Sequence, residues 1–460
     1  LTETPLVRGY IGSRQIVAPS RPNVVKKTKI NKSVVLLLLP LTPIMIVRIV
    51  IFFVVSLLIE FYFLQAVKTF VQDFSIGKKN TILYIAYGLM ALSIIIGITS
   101  VVYPPPNWNN FFRFLLSVVM ILLLCKLLGS VFLLIDDVVR LFRWIASFFT
   151  LKKDEVIDAS HSISRLKFFS QLAVTFTIVP AVGFIYGVVR GAYKYRVHKV
   201  KVSSPNIPEE FNGFKIVQLS DIHTGSFMDV APITKAFDIV MQQNADMILF
   251  TGDLVNNIHD ELNGFEAQFS RLKAPHGVYS VLGNHDYGDY VEWKSKEAKV
   301  ENLDNLKKKQ SDFGWKLLMN EHVPIERNGA KIALIGIENW GGNMRFPRYG
   351  KLHDAYTGSE NYPFKILMSH DPSHWDMQVT LEYPDIDLTL SGHTHGMQMG
   401  IEIPGFKWSP VQYVYKNWAG LYKQGKQFLY VNRGLGFLGY PGRIGIWPEI
   451  TVIELEKSKA

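Results

Sequence analysis

Four stretches of about twenty apolar residues each, at 46–66, 82–102, 114–135 and 172–192, constrain this chain more than any other feature. Each is long enough to cross the hydrocarbon core of a bilayer as a helix, which takes ~20 residues. They are too long and continuous for buried core helices, and a cleavable leader explains at most the first of them. The expectation is an all-α transmembrane region of about four helices over 45–198. Arg48 lies near the end of the first stretch, from where it can snorkel to the interface. Lys126 is the charge deep in a span. An intramembrane ionisable group is a functional candidate by default, but a misplaced boundary or a contact inside the bundle is the plainer reading. The proline-rich link at 103–108 reads as a tight turn with interfacial aromatics. Cys125 is the only cysteine, so neither an internal disulfide nor a cysteine metal site is possible.

From Lys199 onward the pattern changes to short apolar runs separated by polar, helix-like segments. Strands are expected at 214–219, 246–250, 277–282, 331–337, 364–368, 387–390, 427–431 and 450–455, with helices at 231–244 and 292–313. Strands alternating with helices point to packed α/β layers. A chain of 460 residues is too long for one compact domain. The division expected is a basic tail over 1–44, the transmembrane region over 45–198, and an α/β domain over 199–460.

The formal net charge is +10, and residues 1–44 alone hold seven Lys or Arg against one Glu. A basic tail beside a membrane span fits orientation or anionic lipid. No basic, aromatic-interleaved pattern of a nucleic-acid binder is present, so no nucleic-acid partner is expected. The chain begins with Leu1, and Met45 directly precedes the first apolar stretch. Residues 1–44 therefore read either as sequence upstream of a start at Met45 or as a disordered cytoplasmic extension. Four spans return both ends to one side. Arg190, Lys194, Arg196, Lys199 and Lys201 crowd the end of the fourth and favour a cytoplasmic α/β domain, whereas the basic residues of the 136–170 loop pull the other way.

Five short motifs carry the chemistry. They are Asp221-Ile222-His223, Gly252-Asp253, Gly283-Asn284-His285-Asp286, Ser369-His370-Asp371 and Gly392-His393-Thr394-His395. Each closes a strand-like run, and ligands at the carboxyl ends of such strands converge on one edge of an α/β sheet. Asp and neutral His suit Zn, Mn and Fe. A carboxylate such as Asp253 can bridge two cations, and a pair ~3.5–4 Å apart can bind both ends of an in-line phosphoryl displacement. The neighbouring glycines allow close backbone approach. His285 is placed to donate a proton to a leaving oxygen, with Asp286 available to orient it.

This motif set resembles the calcineurin-like metallophosphoesterase superfamily over about residues 210–456. The phrases Leu219-Ser220-Asp221-Ile222-His223, Ser391-Gly392-His393-Thr394-His395-Gly396 and Asn432-Arg433-Gly434-Leu435-Gly436 are similar to its membrane-associated bacterial branch. The resemblance implies a four-layer α/β/β/α sandwich. It implies that Asp221, His223, Asp253 and His395 hold one metal, that Asp253, Asn284, His370 and His393 hold the other, and that His285 is the catalytic acid. Two divalent ions, Mn, Fe or Zn, are the expected cofactors.

Arg433 and Arg443, in the glycine-rich tail, read as candidates for a bidentate phosphate clamp or as structural arginines. His322 and His374 read as surface or core histidines. Trp340-Gly341-Gly342 reads as a mobile loop beside the site or a plain turn. Phe406, Trp408, Tyr413, Tyr415 and Trp418 read as a hairpin packing its own core, or as a surface for the membrane or a lipid-linked substrate. The whole suggests a phosphoesterase in the bacterial cytoplasmic membrane, its partners the lipid bilayer and a phosphorylated, amphiphilic substrate. The oligomeric state is not legible. A sensor or scaffold that binds metal without turnover, and a nuclease-type phosphodiesterase, are the rival readings.

Overall fold

A computed structural model describes residues 43–102, 110–149, 165–342, 346 and 348–459. All but the end of the basic tail, the proline-rich link and much of the 136–170 loop lie outside the described residues.

The four apolar stretches form helices α1 (Pro43–Phe70), α2 (Ile76–Val102), α3 (Asn110–Ser147) and α4 (Arg165–Val189), each long and apolar enough to cross a membrane. Helix α4 packs most extensively on α3 and then on α1, while α2 rests mainly against α1. The α3–α4 crossing is close because a side chain at Gly129 would meet the Ala173 carbonyl oxygen at 2.4 Å. Small residues serve this purpose between membrane helices, where packing rather than water drives association. Phe63, Ala66, Val67, Leu133, Ala173 and Val174 make the bundle's core.

Lys126 is a contact inside the bundle. Its ammonium donates to both carboxylate oxygens of Glu60 on α1 at 2.7 Å, and both residues are buried. Sequence reading passed over Glu60, although it lies inside the first span. Breaking such a pair leaves one charge stranded, at about 3–5 kcal/mol, whereas replacing both partners by apolar residues is often neutral. Glu60→Leu or Lys126→Leu alone is thus expected to lower the detergent-solubilised Tm markedly. The double substitution should recover most of the loss; a double variant as unstable as the singles would show that the pair does not act as a unit.

Beyond α4 the chain builds two six-stranded sheets. The strands, in chain order, are β1 (Arg196–Ser204), β2 (Lys215–Leu219), β3 (Met247–Phe250), β4 (Val278–Ser280), β5 (Lys316–Leu317), β6 (Glu321–Arg327), β7 (Ala330–Gly336), β8 (Lys365–Met368), β9 (Leu388–Ser391), β10 (Ile401–Ile403), β11 (Phe406–Trp408), β12 (Gly420–Gln424), β13 (Gln427–Val431) and β14 (Glu449–Lys457). The first sheet runs β1-β14-β2-β3-β4-β5 and the second β12-β13-β9-β8-β7-β6, with β10 and β11 a separate hairpin. Strands β2 to β5 are mutually parallel, as are β7, β8, β9 and β13.

Alternation along each strand supplies an apolar face to both sides. Ile216, Leu249 and Ile453 of the first sheet meet Leu334, Ile366 and Leu390 of the second in the inter-sheet core. Val217, Ile248 and Phe250 face outward onto helix α5 (Ala231–Met241), through Ile233, Phe237 and Val240. Ile335, Leu367 and Leu429 cover the other outer face with Leu352, Trp375 and Val379. Helix α6 (Lys296–Asp312) completes the first outer layer through Leu306. The result is the expected α/β/β/α sandwich.

Candidate metal centre

Parallel neighbours in a sheet end on the same edge, so β2, β3 and β4 deliver three motifs side by side, and β8 and β9 deliver two from the facing sheet. The chain must turn sharply there. Asp221, His223, Asp253, His393 and His395 all take left-handed backbone conformations, with φ between 50° and 70°. Non-glycine residues hold that region only where surrounding contacts impose it, typically at functional sites. Gly392 lets the two sheets touch: a side chain there would lie 2.3 Å from a carboxylate oxygen of Asp221.

Two trios of ligand-type atoms result. Asp221, His223 and His395 converge within 4.8 Å of one another, and so do Asp253, His370 and His393. Asp253 lies between them, with Oδ2 3.5 Å from His223 Nε2 and 3.1 Å from His370 Nε2. Asn284 joins the second trio, its Oδ1 2.8 Å from His393 Nδ1, because its amide donates to the Tyr290 hydroxyl at 2.9 Å.

Hydrogen bonds behind the rings decide which nitrogen faces inward. His370 Nδ1–H donates to the Thr251 carbonyl at 2.7 Å, turning Nε2 toward Asp253 and Asp221. That Nε2 is buried, with the Asp253 carboxylate its nearest partner at 3.1 Å. The Asp221 carboxylate accepts from the His393 backbone N–H at 3.0 Å, which ties the two sheets together. His393 Nε2 lies 2.7 Å from the Tyr415 hydroxyl and 3.6 Å from Asp371.

Electrostatics agree with a site for positive charge. Burial lowers His223 to about 3, with the charges of His285 and His370 adding to it and Asp253 opposing. Burial also disfavours charge on His370, yet Asp253 and Asp221 raise it to about 10. Burial would raise Asp253, yet the charges of His370 and His285 hold it well below the usual carboxylate range. The carboxylates thus draw positive charge between them, and carboxylate oxygens with imidazole nitrogens are a donor set that fits a divalent cation.

His285 lies at the rim, half-buried between His223 and Tyr290, with ring centroids 5.0 and 4.6 Å away. Its Nδ1–H donates to the Asn256 carbonyl at 2.7 Å, which leaves Nε2 free to exchange a proton. Asp286 does not orient it, contrary to the expectation from sequence. The Asp286 carboxylate is fully buried and accepts backbone N–H groups of Asp253, Leu254, Val255 and Gly283. It braces the two loops that carry Asp253 and Asn284.

The phosphate clamp is corrected too. Arg433 is buried and both its Nη groups are taken, by Glu449 and Glu402, so its fork is not open to clamp a phosphate. Arg443 is fully buried and donates to the Gly436 carbonyl, with Nη2 3.3 Å from His395 Nδ1. Arg433 is held in ion pairs, and Arg443 packs behind His395. His374 is a core residue, bonded to Ser369 and Gln378, and His322 is partly buried against the Ala355 carbonyl. Beyond Trp340-Gly341-Gly342, Phe346 packs edge-on against His393 at 4.7 Å. Tyr415, Tyr290 and Asp371 are the neighbours that sequence reading did not assign to the centre. Only Asp371 carried a signal, as the residue after His370.

Residues 44–192 match a family model described as a probable calcineurin-like phosphoesterase transmembrane domain, and residues 214–397 match the calcineurin-like phosphoesterase model. The chain is similar to a transmembrane protein with metallophosphoesterase domain from Danio rerio, 32% identical over 288 residues, which are 61% of this chain and 62% of that protein. It is also similar to the uncharacterized metallophosphoesterase YkuE of Bacillus subtilis, 30% identical over 56% of this chain and 84% of that one. Phosphodiesterase YaeI of Escherichia coli is 27% identical over 65% of this chain and 99% of its own length. The chain thus spans less than two thirds of the Danio rerio protein.

Proposed function

The chain belongs to the calcineurin-like metallophosphoesterase family, and from that premise we propose that it is a membrane-anchored, two-metal hydrolase of a phosphoester or pyrophosphate on an amphiphilic, envelope-type substrate. The observation that carries this reading is the pair of ligand trios meeting at Asp253. In this proposal Asp221, His223 and His395 would hold one cation, and Asn284, His370 and His393 the other, with Asp253 available to both. The cations, Mn, Fe or Zn, would supply Lewis acidity toward the phosphoryl group and acidify water.

The chain's own residues do the rest. His370 and His393 are oriented by Thr251 and Tyr415, and Asp286 holds the loops in register. His285 exchanges the proton through Nε2, its ring fixed by the Asn256 carbonyl. Membrane helices joined to such a centre support an amphiphilic substrate, and no concentrated basic groove in 200–456 favours a nucleic acid. We place the catalytic domain, residues 199–460, on the cytoplasmic face of a bacterial inner membrane, supported by the basic cluster that ends the fourth span.

Chelation tests the reading. Treating the purified full chain with EDTA is expected to abolish hydrolysis of bis-p-nitrophenyl phosphate, and adding Mn or Zn to restore it. Comparing that probe with a nucleotide-linked lipid and single-stranded DNA then ranks substrate classes. Turnover that survives complete chelation would sink the proposal. Bound metal without turnover of any probe would favour the sensor reading.

A further inference from the structure

The β10–β11 hairpin is built the wrong way round for water. Its register pairs Ile401 with Trp408, Glu402 with Lys407 and Ile403 with Phe406, across a Pro404-Gly405 turn. Residues directly opposite share a face. The apolar pairs therefore lie on one face and the charged pair on the other. In a hairpin lying on a soluble domain the apolar face turns inward. Here Glu402 is taken by Arg433, and the Lys407 ammonium donates to the Ala419 carbonyl and sits 4.9 Å from the centre of the Trp418 ring, while the rest of Lys407 stays exposed. The outward face is apolar, with Ile403 59% and Phe406 53% exposed. Tyr413 and Val414 extend the patch, at 78% and 69%.

The root of this hairpin is fastened to the end of the fourth span. Gly400 N–H donates to the Ile444 carbonyl, and Ile444 N–H to the Gln398 carbonyl. One residue away, Arg443 N–H donates to the Gly187 carbonyl in the last turn of α4, and the Tyr440 hydroxyl donates to the Phe184 carbonyl at 2.6 Å. The Phe184 and Tyr440 rings meet edge-to-face at 5.4 Å. A three-residue strand is only ~10 Å long, which keeps the hairpin within about that distance of its root on the end of α4.

We propose that the outward face of the β10–β11 hairpin, with Tyr413 and Val414, enters the interfacial layer of the same bilayer that α1–α4 cross. Continuity with the membrane helices selects this occupant over a second protein. Aromatic and aliphatic side chains above a bilayer partition into that layer, ~5–10 Å deep. The consequence concerns the site. Tyr415, next to Val414, bonds His393, and Arg443 links the helix end to His395. The hairpin thereby holds the metal centre against the lipid headgroups. The inference rests on the membrane-spanning helices and needs no turnover, so its failure and that of the proposed function are separable.

Depth-dependent quenching tests it. Single cysteines replace Ile403, Phe406 and, at the far end of the β6–β7 pair from the site, Glu326, each in a Cys125→Ala background. Each full chain carries an environment-sensitive fluorophore in phospholipid nanodiscs with nitroxide lipids. The expected result is a blue shift and loss of emission at 403 and 406 with nitroxides near the headgroup, and neither at 326. Equal, unquenched emission at all three positions would overturn the proposal. So would shielding at 403 and 406 that follows protein concentration rather than lipid nitroxide, since that assigns the face to a second copy of the chain.

Discussion

Changing Asp253 to Asn is expected to remove hydrolysis almost completely, by ~10³-fold or more, and to lower bound metal from about two ions per chain. Loss of several kcal/mol of charge stabilisation corresponds to that factor. The substitution keeps size and one oxygen, so packing is little disturbed. What it removes is the shared negative charge between His223 and His370, at 3.5 and 3.1 Å. It also weakens the bond from the His285 backbone N–H to Asp253 Oδ1, at 2.9 Å. Metal analysis alongside kinetics checks the outcome; unchanged metal content and turnover would show that Asp253 is not the bridge.

The second large effect falls on proton transfer and leaves the metals in place. His285→Ala is expected to slow hydrolysis of an alkyl phosphodiester by ~10²–10⁴-fold, the usual worth of a positioned general acid. With p-nitrophenolate as leaving group the loss should be far smaller, because that oxygen needs little protonation. The ring's partners support this role: Nδ1–H is held by the Asn256 carbonyl, and the backbone N–H of Asn256 is in turn held by the Glu261 carboxylate. A leaving-group series with wild-type and variant protein decides it. Equal losses on good and poor leaving groups would assign His285 to positioning instead.

What could be read from the sequence, and what could not, divides along physical lines. The strands expected from apolar runs, β2, β3, β4, β7, β8, β9, β13 and β14, are all interior to a sheet. Buried on both faces, they read as continuous apolar sequence. Strands β1, β5, β6 and β12, which went unread, are the four sheet edges. Edge strands carry charge that blocks further pairing, and β1 has Arg196, His198, Lys199 and Lys201. Those lysines and arginines read naturally as a juxtamembrane cluster.

The site shows the same division. The residues gathered at the strand ends were legible because each motif is local. Misreadings arose where the deciding partner is distant in sequence. Asp286 belongs to the backbone of 253–255, and Arg433 to Glu449 and Glu402. A glycine-rich segment with two arginines looks like a phosphate loop until the acids that neutralise one of them are known. The outward face of the β10–β11 hairpin depends on strand register, which sets which side chains share a face.

The central proposal is that the residues around Asp253 would hold two divalent cations, which would supply the Lewis acidity for phosphoester hydrolysis. The most direct measurement is metal content by mass spectrometry, with hydrolysis of bis-p-nitrophenyl phosphate, on the detergent-purified full chain supplied with Mn and Zn. The account predicts about two ions per chain, and turnover that rises with their occupancy. A folded chain that binds no metal under those conditions would contradict it.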